Sequence, residues 1–330
     1  MIIEKSWQEM TDRKLATLLH RSLQSVRSKR QEIVGSRTVS RKRRWEGESG
    51  IALGDTVAQE YRDGASQSSL IDKYHIEWKK LAQVLRSHGL RIRGKSQQAF
   101  IKKYGKDPTT SRRITPSKLY IIFAMFGDGL RPTTQTRRNT HIIGIAAGKD
   151  RDFAENWIST FEQEYGVKPS LTILGKNNIQ ASISSVDVWN DLHRYATFGT
   201  RSWGFRDSAF SYLTSDKTSS KTLGFGVRGL FDADGSVKYE VKRASRQVTL
   251  SSVNPSGLKQ VSILLNRIGL RHSLYKDSIA IFGRENLIDY QQKVGFGIRR
   301  KNEALINMIS TFRVKIGQRR FCKTRQLMAR

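Results

Sequence analysis

The sequence predicts an α+β fold in which small all-α modules precede two repeats of one αββαββα order. Three observations lead there. The later part of the 330 residues runs through the same succession of elements twice, each time opening on an apolar helix that ends in Asp-Gly, at 121–129 (IIFAMFGDG) and 227–235 (VRGLFDADG). The first third carries only short helical periodicities with basic faces. Finally, 59 Lys and Arg stand against 29 Asp and Glu, a formal charge of +30 that points to a polyanionic partner, nucleic acid first among them.

In chain order, residues 7–34 predict two helices with a break near His20 to Ser22. Leu15, Leu18 and Leu19 form one apolar stripe, and Leu23, Val26 and Ile33 form the next. The second helix carries Arg27, Lys29 and Arg30, and the pair (1–35) resembles a small Myb-like or homeodomain-like module with its basic helix in the recognition position. A helical hairpin with a solvated basic face is the plainer alternative. A polar, basic linker is expected over 36–54. Over 55–107, Gly64 ends a helix, Ser66 caps the next, HIEW (75–78) makes a turn, and a helix from about Glu77 to Ser87 exposes Lys79, Lys80 and Arg86. Leu81, Val84 and Leu85 point inward, and the stretch is similar to the helix-turn-helix of resolvases and transposases. Pro108 and Pro116 bracket the boundary that follows.

The first repeat (117–200) reads as a helix through Leu119 to Phe126, strand material at THIIGIAAG, a helix at DFAENWISTFEQEYG, strands SLTILG and IQASIS, and a helix from Val186 to about Tyr195. A linker is expected at 201–220. The second repeat (221–312) follows the same order, with a helix through Leu223 to Phe231, strands SVKYEVK and RQVTLSS, and a helix at SGLKQVSILLNRIG. Strands RHSLYK and SIAIFG and a helix from Glu285 to Lys293 complete it, before a basic tail at 313–330.

Composition removes several function classes. No apolar run approaches the 18 or more residues of a membrane-spanning helix, so no membrane partner is expected. MIIEKSWQEM has acids at positions 4 and 9 and no apolar segment before a cleavage site, which makes an intracellular, non-secreted location the expectation. A single cysteine, Cys322, forms no internal disulfide, and no Cys/His spacing suits zinc. No Ser/His/Asp or Cys/His nucleophile arrangement is readable either.

An isolated Asp-Gly is ordinary turn chemistry. Here each pair closes an apolar helix, and at this point the residues resemble the LAGLIDADG homing endonucleases of the double-motif, monomeric type. Val227 to Gly235 stand where the nine letters of the family name stand, with Gly229, Leu230, Asp232, Ala233, Asp234 and the closing glycine identical. Ile121 to Gly129 form a weaker copy, with Phe123 where the family has glycine. KVGFGIRRKNEAL (293–305) resembles the segment ending a family repeat.

The resemblance implies a saddle-shaped fold of two pseudo-twofold repeats, with the motif helices side by side and Asp128 and Asp234 meeting beneath DNA. Two unpaired carboxylates repel and require cations. Mg2+ is the expected cofactor, with Mn2+ or Ca2+ able to occupy the site, and the metal set is Asp128, Asp234, Gly127 and Ala233. The expected reaction is site-specific, metal-assisted hydrolysis of both DNA strands. Lys149 and Lys238 resemble lysines near family active sites and join Asp128 and Asp234 in the catalytic set. Lys301 joins as well, Arg299 being its alternative. Asp232 reads as a helix-end or interface residue.

Strands of about eight to ten residues would span roughly 26 to 33 Å, near one turn of duplex, so each sheet would follow one major groove. In SVKYEVKR, Val237, Tyr239 and Val241 alternate against Lys238 and Lys242. Expected contacts to a long, specific double-stranded DNA target are Arg131, Gln135, Arg137, Arg138, Lys238, Lys242, Arg243, Arg246 and Lys276, with Arg27, Lys29, Arg30, Lys79, Lys80 and Arg86 added by the N-terminal modules. Two alternatives use the same scaffold: a DNA-binding regulator without nuclease activity, and an intron maturase that binds RNA. Retention of both aspartates favours the nuclease.

Overall fold

The computed structural model describes residues 11–34, 48–130, 141–175, 178–240 and 245–312. Contacts divide the chain into two compact units, Met1–Lys106 and Asp107–Arg330. The expected combination of an N-terminal helical region and an α+β body is what is observed.

In the first unit, α1 (Asp12–Leu18) and α2 (Leu23–Val34) bury Leu15 and Val26, and the chain reverses between them through His20, whose φ is 48°. The linker expected over 36–54 is too long at its C-terminal end, because Glu48 already belongs to α3 (Glu48–Arg62). Val57, Ala58 and Tyr61 give that helix a buried stripe at helical spacing, which carries the structure back through residues that look like linker. Gly64 at φ 104° ends α3, and Ser66 caps α4 (Gln67–Tyr74) by accepting from the Ser69 N–H at 3.0 Å. His75 turns the chain in the left-handed region, and α5 (Trp78–Ser87) follows. Tyr61, Leu70, Ile76, Leu81 and Leu85 share one core. A further helix, α6 (Lys95–Tyr104), completes the unit; its polar, lysine-rich sequence gives little periodic signal.

The second unit is built on two helices. In α7 (Pro116–Asp128), Thr115 accepts from the Lys118 N–H and Pro116 occupies the first turn; in α11 (Ser220–Asp234), Ser219 accepts from the Thr222 N–H. Every residue from Ser117 to Phe126 is buried, as expected of a helix covered on all sides. Between them come β1 (Ile142–Gly148), α8 (Arg151–Tyr165), β2 (Ser170–Ile173), β3 (Ile179–Ser184) and α9 (Val186–Tyr195). The inter-repeat linker expected at 201–220 is structured instead: β4 (Ala196–Thr197) pairs with β5 (Gly204–Phe205), and α10 (Asp207–Thr214) follows. Trp203, Phe205, Ala209 and Leu213 are buried there, with Trp203 stacked on Phe126 of α7 and Phe205 edge-on to Phe123 and Phe126.

After α11 come β6 (Gly235–Glu240), β7 (Ser245–Ser251), α12 (Pro255–Ile268), β8 (Ser273–Leu274), β9 (Ser278–Phe282) and α13 (Arg284–Lys293). A helix beyond the expected order, α14 (Arg299–Ser310), ends the repeat. The two antiparallel sheets have orders β1-β3-β2 and β6-β7-β9-β8, so β7-β9-β8 repeats the first sheet's order. The remaining strand expected of the first repeat falls on 131–140, outside the described residues.

Described strands are shorter than the eight to ten residues expected, the longest being seven. β1 changes register between Ala146 and Gly148.

Candidate active site

The site begins with how closely α7 and α11 approach. A Cβ built on Gly229 would stand 2.4 Å from the Tyr120 carbonyl oxygen, and one on Gly226 2.6 Å from the Leu119 Cβ. The missing glycine of the first motif is thereby compensated: Phe123 sits over Gly226, its Cδ2 3.4 Å from that Cβ position. Lower down, a Cβ on Gly127 would be 2.5 Å from the Ala233 Cβ and 3.0 Å from Asp234 Oδ2. The glycine closing each motif has a conventional negative φ. What excludes a side chain there is the helix's own carbonyl four residues back, 2.2 Å away for Gly129 (Met125) and 2.4 Å for Gly235 (Phe231).

This packing brings Asp128 and Asp234 within electrostatic reach of each other. Burial pushes the Asp234 carboxyl up to about 6, and the Asp128 charge adds to that while Lys301 opposes it. Asp234 is exposed as a residue, but its carboxylate is packed against Gly127. Burial likewise raises Asp128, against the pull of Lys301.

Lys301 itself is buried on α14, and its Nζ donates to the carbonyls of Phe231 (3.2 Å), Asp232 (2.5 Å) and Ala233 (2.9 Å). An ammonium at the negative end of α11 complements the helix dipole. Desolvation lowers its pKa, and the neighbouring Asp232 opposes that.

Asp232 joins the repeats. Its Oδ2 accepts from Tyr120 Oη at 2.8 Å and its Oδ1 from the Gly297 N–H at 2.7 Å, while burial raises it to about 6. A second bolt was not legible in the sequence. Arg300 makes a two-pronged pair with Asp150, 2.6 Å at each contact, and the Arg299 N–H donates to Asp152 at 2.7 Å. Asn156 Nδ2 adds a bond to the Gly297 carbonyl. The only trace of these partners in the sequence is the acid-rich start of α8 beside a basic start of α14.

The other expected residues lie apart. Lys149 is exposed between β1 and α8, where its charge helps to lower Asp150 behind the larger effect of Arg300. Lys238 is exposed on β6, in register with Gln247, and Lys276 is exposed before β9. Arg299 is also exposed and pairs with Glu303. Alternation gives Ser236, Lys238, Gln247, Thr249, Ser251 and Ser278 to one face of the second sheet, and Val237, Tyr239, Val248, Leu250 and Ile281 to the other.

Arg246 is a correction. It lies on the apolar side, opposite to Lys238, with Nε donating to Thr311 Oγ1 at 2.7 Å and its guanidinium over Tyr239 and Phe312. Pinned there, it does not share the polar face.

In the N-terminal unit Arg27, Lys29, Lys79 and Arg86 are exposed and Lys80 is half-buried; Arg30 lies on α2. Arg131, Gln135, Arg137, Arg138, Lys242 and Arg243 lie outside the described residues.

Among the described residues no group of three or more His, Cys, Asp or Glu side chains is arranged to hold a metal. A cation at Asp128 and Asp234 would therefore draw its other ligands from carbonyls, water or substrate. That all-oxygen set suits Mg2+, and a repelling pair of carboxylates provides the reason to bind it. Beside Asp234 lies a groove of about 420 Å³ bordered by Phe126, Phe198, Trp203 and Val253. No helix among the described residues is long and apolar enough to cross a membrane.

Residues 226–295 match the model of a LAGLIDADG-like domain. A 90-residue stretch, 26% of this chain, is 33% identical to 8% of a probable translation initiation factor IF-2 from Thermococcus kodakarensis. A longer one, 182 residues or 51% of the chain, is 28% identical to 10% of a DNA polymerase from the same organism. The chain thus spans a tenth or less of the length of these relatives. Among solved structures, I-DmoI in complex with DNA and Mn is similar over 55% of this chain and 96% of its own, at 15% identity and a TM-score of 0.40. The homing endonuclease I-WcaI bound to its DNA recognition sequence is similar over 69% of this chain and 98% of its own, at 13% identity and a TM-score of 0.42.

Proposed function

We propose, from the premise that the chain belongs to the LAGLIDADG family through residues 226–295, that it is a site-specific endonuclease acting on both strands of DNA. The observation that carries this reading is the pair Asp128 and Asp234, one from each motif helix, each raised by burial, with the charge of Asp128 acting on Asp234. A scaffold that only bound nucleic acid would gain nothing from the repulsion of two such groups.

In this reading Asp128 and Asp234 hold a divalent cation, Mg2+ in the first instance, with the backbone carbonyls of Gly127 and Ala233 beside them. When bound, the cation supplies a water of lowered pKa and neutralises charge on the phosphate. The protein's own groups set the geometry. Lys301 fixes the last turn of α11 by holding three of its carbonyls, and so fixes where Asp234 points. Asp232, held by Tyr120 and Gly297, keeps the repeats in one relation and the two carboxylates at one separation. Lys149 and Lys238, both open to solvent, meet phosphates. The polar face of the second sheet, rich in Ser, Thr and Gln with Lys238, offers donors and acceptors to base edges. The exposed cations of α2 and α5 add contacts outside the central site, and the protein works as a monomer because both carboxylates come from one chain.

The test is incubation of wild type, Asp128→Asn and Asp234→Asn with a library of randomised long duplexes and Mg2+. All three are expected to bind and only wild type to cut. Cutting that survives both substitutions removes the carboxylate pair from the reaction, and tight RNA binding without DNA cutting replaces this reading with the RNA-binding one.

A further inference from the structure

The segment that joins the repeats is braced beyond what a connector needs. β4 and β5 pair over two residues each, and a ladder that short does not hold itself together in water. Three helices hold it instead. Asn254, the cap of α12, donates from Nδ2 to the Trp203 carbonyl at 2.6 Å. Gln260 of the same helix accepts from the Phe205 N–H at 2.8 Å and donates to the Phe205 carbonyl at 3.0 Å. The Trp203 ring stacks on Phe126 of α7, and a Cβ on Gly257 would stand 2.4 Å from it, so glycine leaves the room that ring takes. Just past β5, Arg206 Nε donates at 2.7 Å to the carbonyl of His193 on α9.

The turn held in this way lies where the motif helices end. The Ser202 N–H donates to the Gly199 carbonyl at 3.0 Å, which makes Thr200 and Arg201 the central pair of a four-residue turn, and both are exposed. Thr197 Oγ1 braces it by donating to the Ser202 carbonyl at 3.0 Å. Phe198, Gly199 and Thr200 border the same groove as Gly127, Asp234 and Asp277.

The charges lining that groove repel a polyanion. They belong to two acids, Asp234 and Asp277. Lys301, whose charge acts on Asp128 and Asp234 alike, is buried with its ammonium engaged by three carbonyls. A divalent ion at the motif acids serves the phosphate being cut, so the phosphates beside it need a second source of positive charge. Arg201, next in the chain to Thr200, brings a guanidinium whose planar fork matches a phosphate.

We propose that the Thr200–Arg201 turn is a clamp for the DNA backbone, in which Arg201 binds a phosphate adjoining the one that is cut and so fixes the duplex over the carboxylates. This rests on the nuclease reading. Such a contact sets position and carries no base information of its own. The bracing has its reason here, because a side chain fixes register only when the backbone beneath it is rigid.

The experiment uses the full chain and a duplex recovered from the cleavage library, resynthesised with a neutral methylphosphonate at one backbone position at a time around the cut. Cleavage is read in Mg2+ and affinity in EDTA. For wild type, one position beside the cut is expected to slow cleavage on the order of tenfold, the low end for a bond to a charged group because water and salt screen an exposed pair. Arg201→Ala should slow the unmodified duplex by a similar factor, make the log–log salt slope of affinity shallower by about 0.9, and render that same methylphosphonate harmless. Arg201→Lys, which keeps the charge without the fork, should recover part of the rate. Lys217→Ala is the control: it removes an exposed cation two residues before the cap of α11, roughly 20 Å along that helix from Asp234, and should leave the methylphosphonate pattern as it is. Melting temperatures within a few degrees of wild type establish that the variants fold. A wild-type cleavage rate for Arg201→Ala, or a methylphosphonate effect undiminished in it, would overturn the inference and leave the nuclease reading standing. Failure of wild type to cut the duplex at all would remove both.

Discussion

At the scale of single residues, the most informative group is Asp234, whose carboxyl is raised to about 6 by burial and then by Asp128. A carboxylate raised in the folded state favours folding most below its unfolded value near 3.9, and that contribution is lost as pH rises through about 6. In metal-free protein at pH 7.5 the charged pair is therefore a net cost. Asp234→Asn should raise stability there, measured as melting temperature in EDTA, by on the order of 1 kcal/mol after discounting for the water that reaches Asp234. Near pH 4 the gain should vanish, and a gain that persists there would contradict the assignment. Both motif acids are legible in the sequence because a nine-residue pattern fixes them on a helix end. Asp150 and Arg300 are not, because their pairing joins positions 150 residues apart that neither spacing nor periodicity relates.

At the scale of elements, α7 and α11 are held by what their glycines leave out. Gly229 has backbone atoms of Tyr120 and Ala124 at 2.4 and 3.0 Å from a built Cβ, so even alanine forces the helices apart. Gly229→Ala is expected to cost roughly 1–3 kcal/mol in denaturant unfolding, and to lower cleavage further by separating the carboxylates. Gly54→Ala, inside α3, where a built Cβ meets only ordinary contacts at 3.6 and 3.7 Å, is the control and should not destabilise. An unchanged denaturant midpoint for Gly229→Ala would contradict the packing. Amphipathic helices such as α8 and α12 could be read from apolar spacing. α10 and α14 could not, since one begins in polar residues within an apparent linker and the other is basic through its first turn.

At the scale of the whole molecule, the charge of +30 implies an electrostatic footprint on DNA. Affinity for a duplex should fall with salt at a log–log slope of about 0.9 per phosphate contact, and Lys79→Ala with Arg86→Ala should flatten that slope without abolishing cutting. A salt-independent affinity measured by fluorescence anisotropy would rule the footprint out. The repeat order was readable from the sequence because each half opens on an acid-ended apolar helix, whereas the bolts between the halves emerge only when both are folded together.

The central claim is that carboxylates from two repeats share one divalent cation, and divalent-ion affinity at pH 7.5 in wild type, Asp128→Asn, Asp234→Asn and the double variant tests it most directly. Titration calorimetry with Mn2+ as the probe is expected to show that each single substitution removes most of the binding and that the double variant loses no more. Additive losses, or a single variant that binds as wild type does, would mean that the two acids do not form one site.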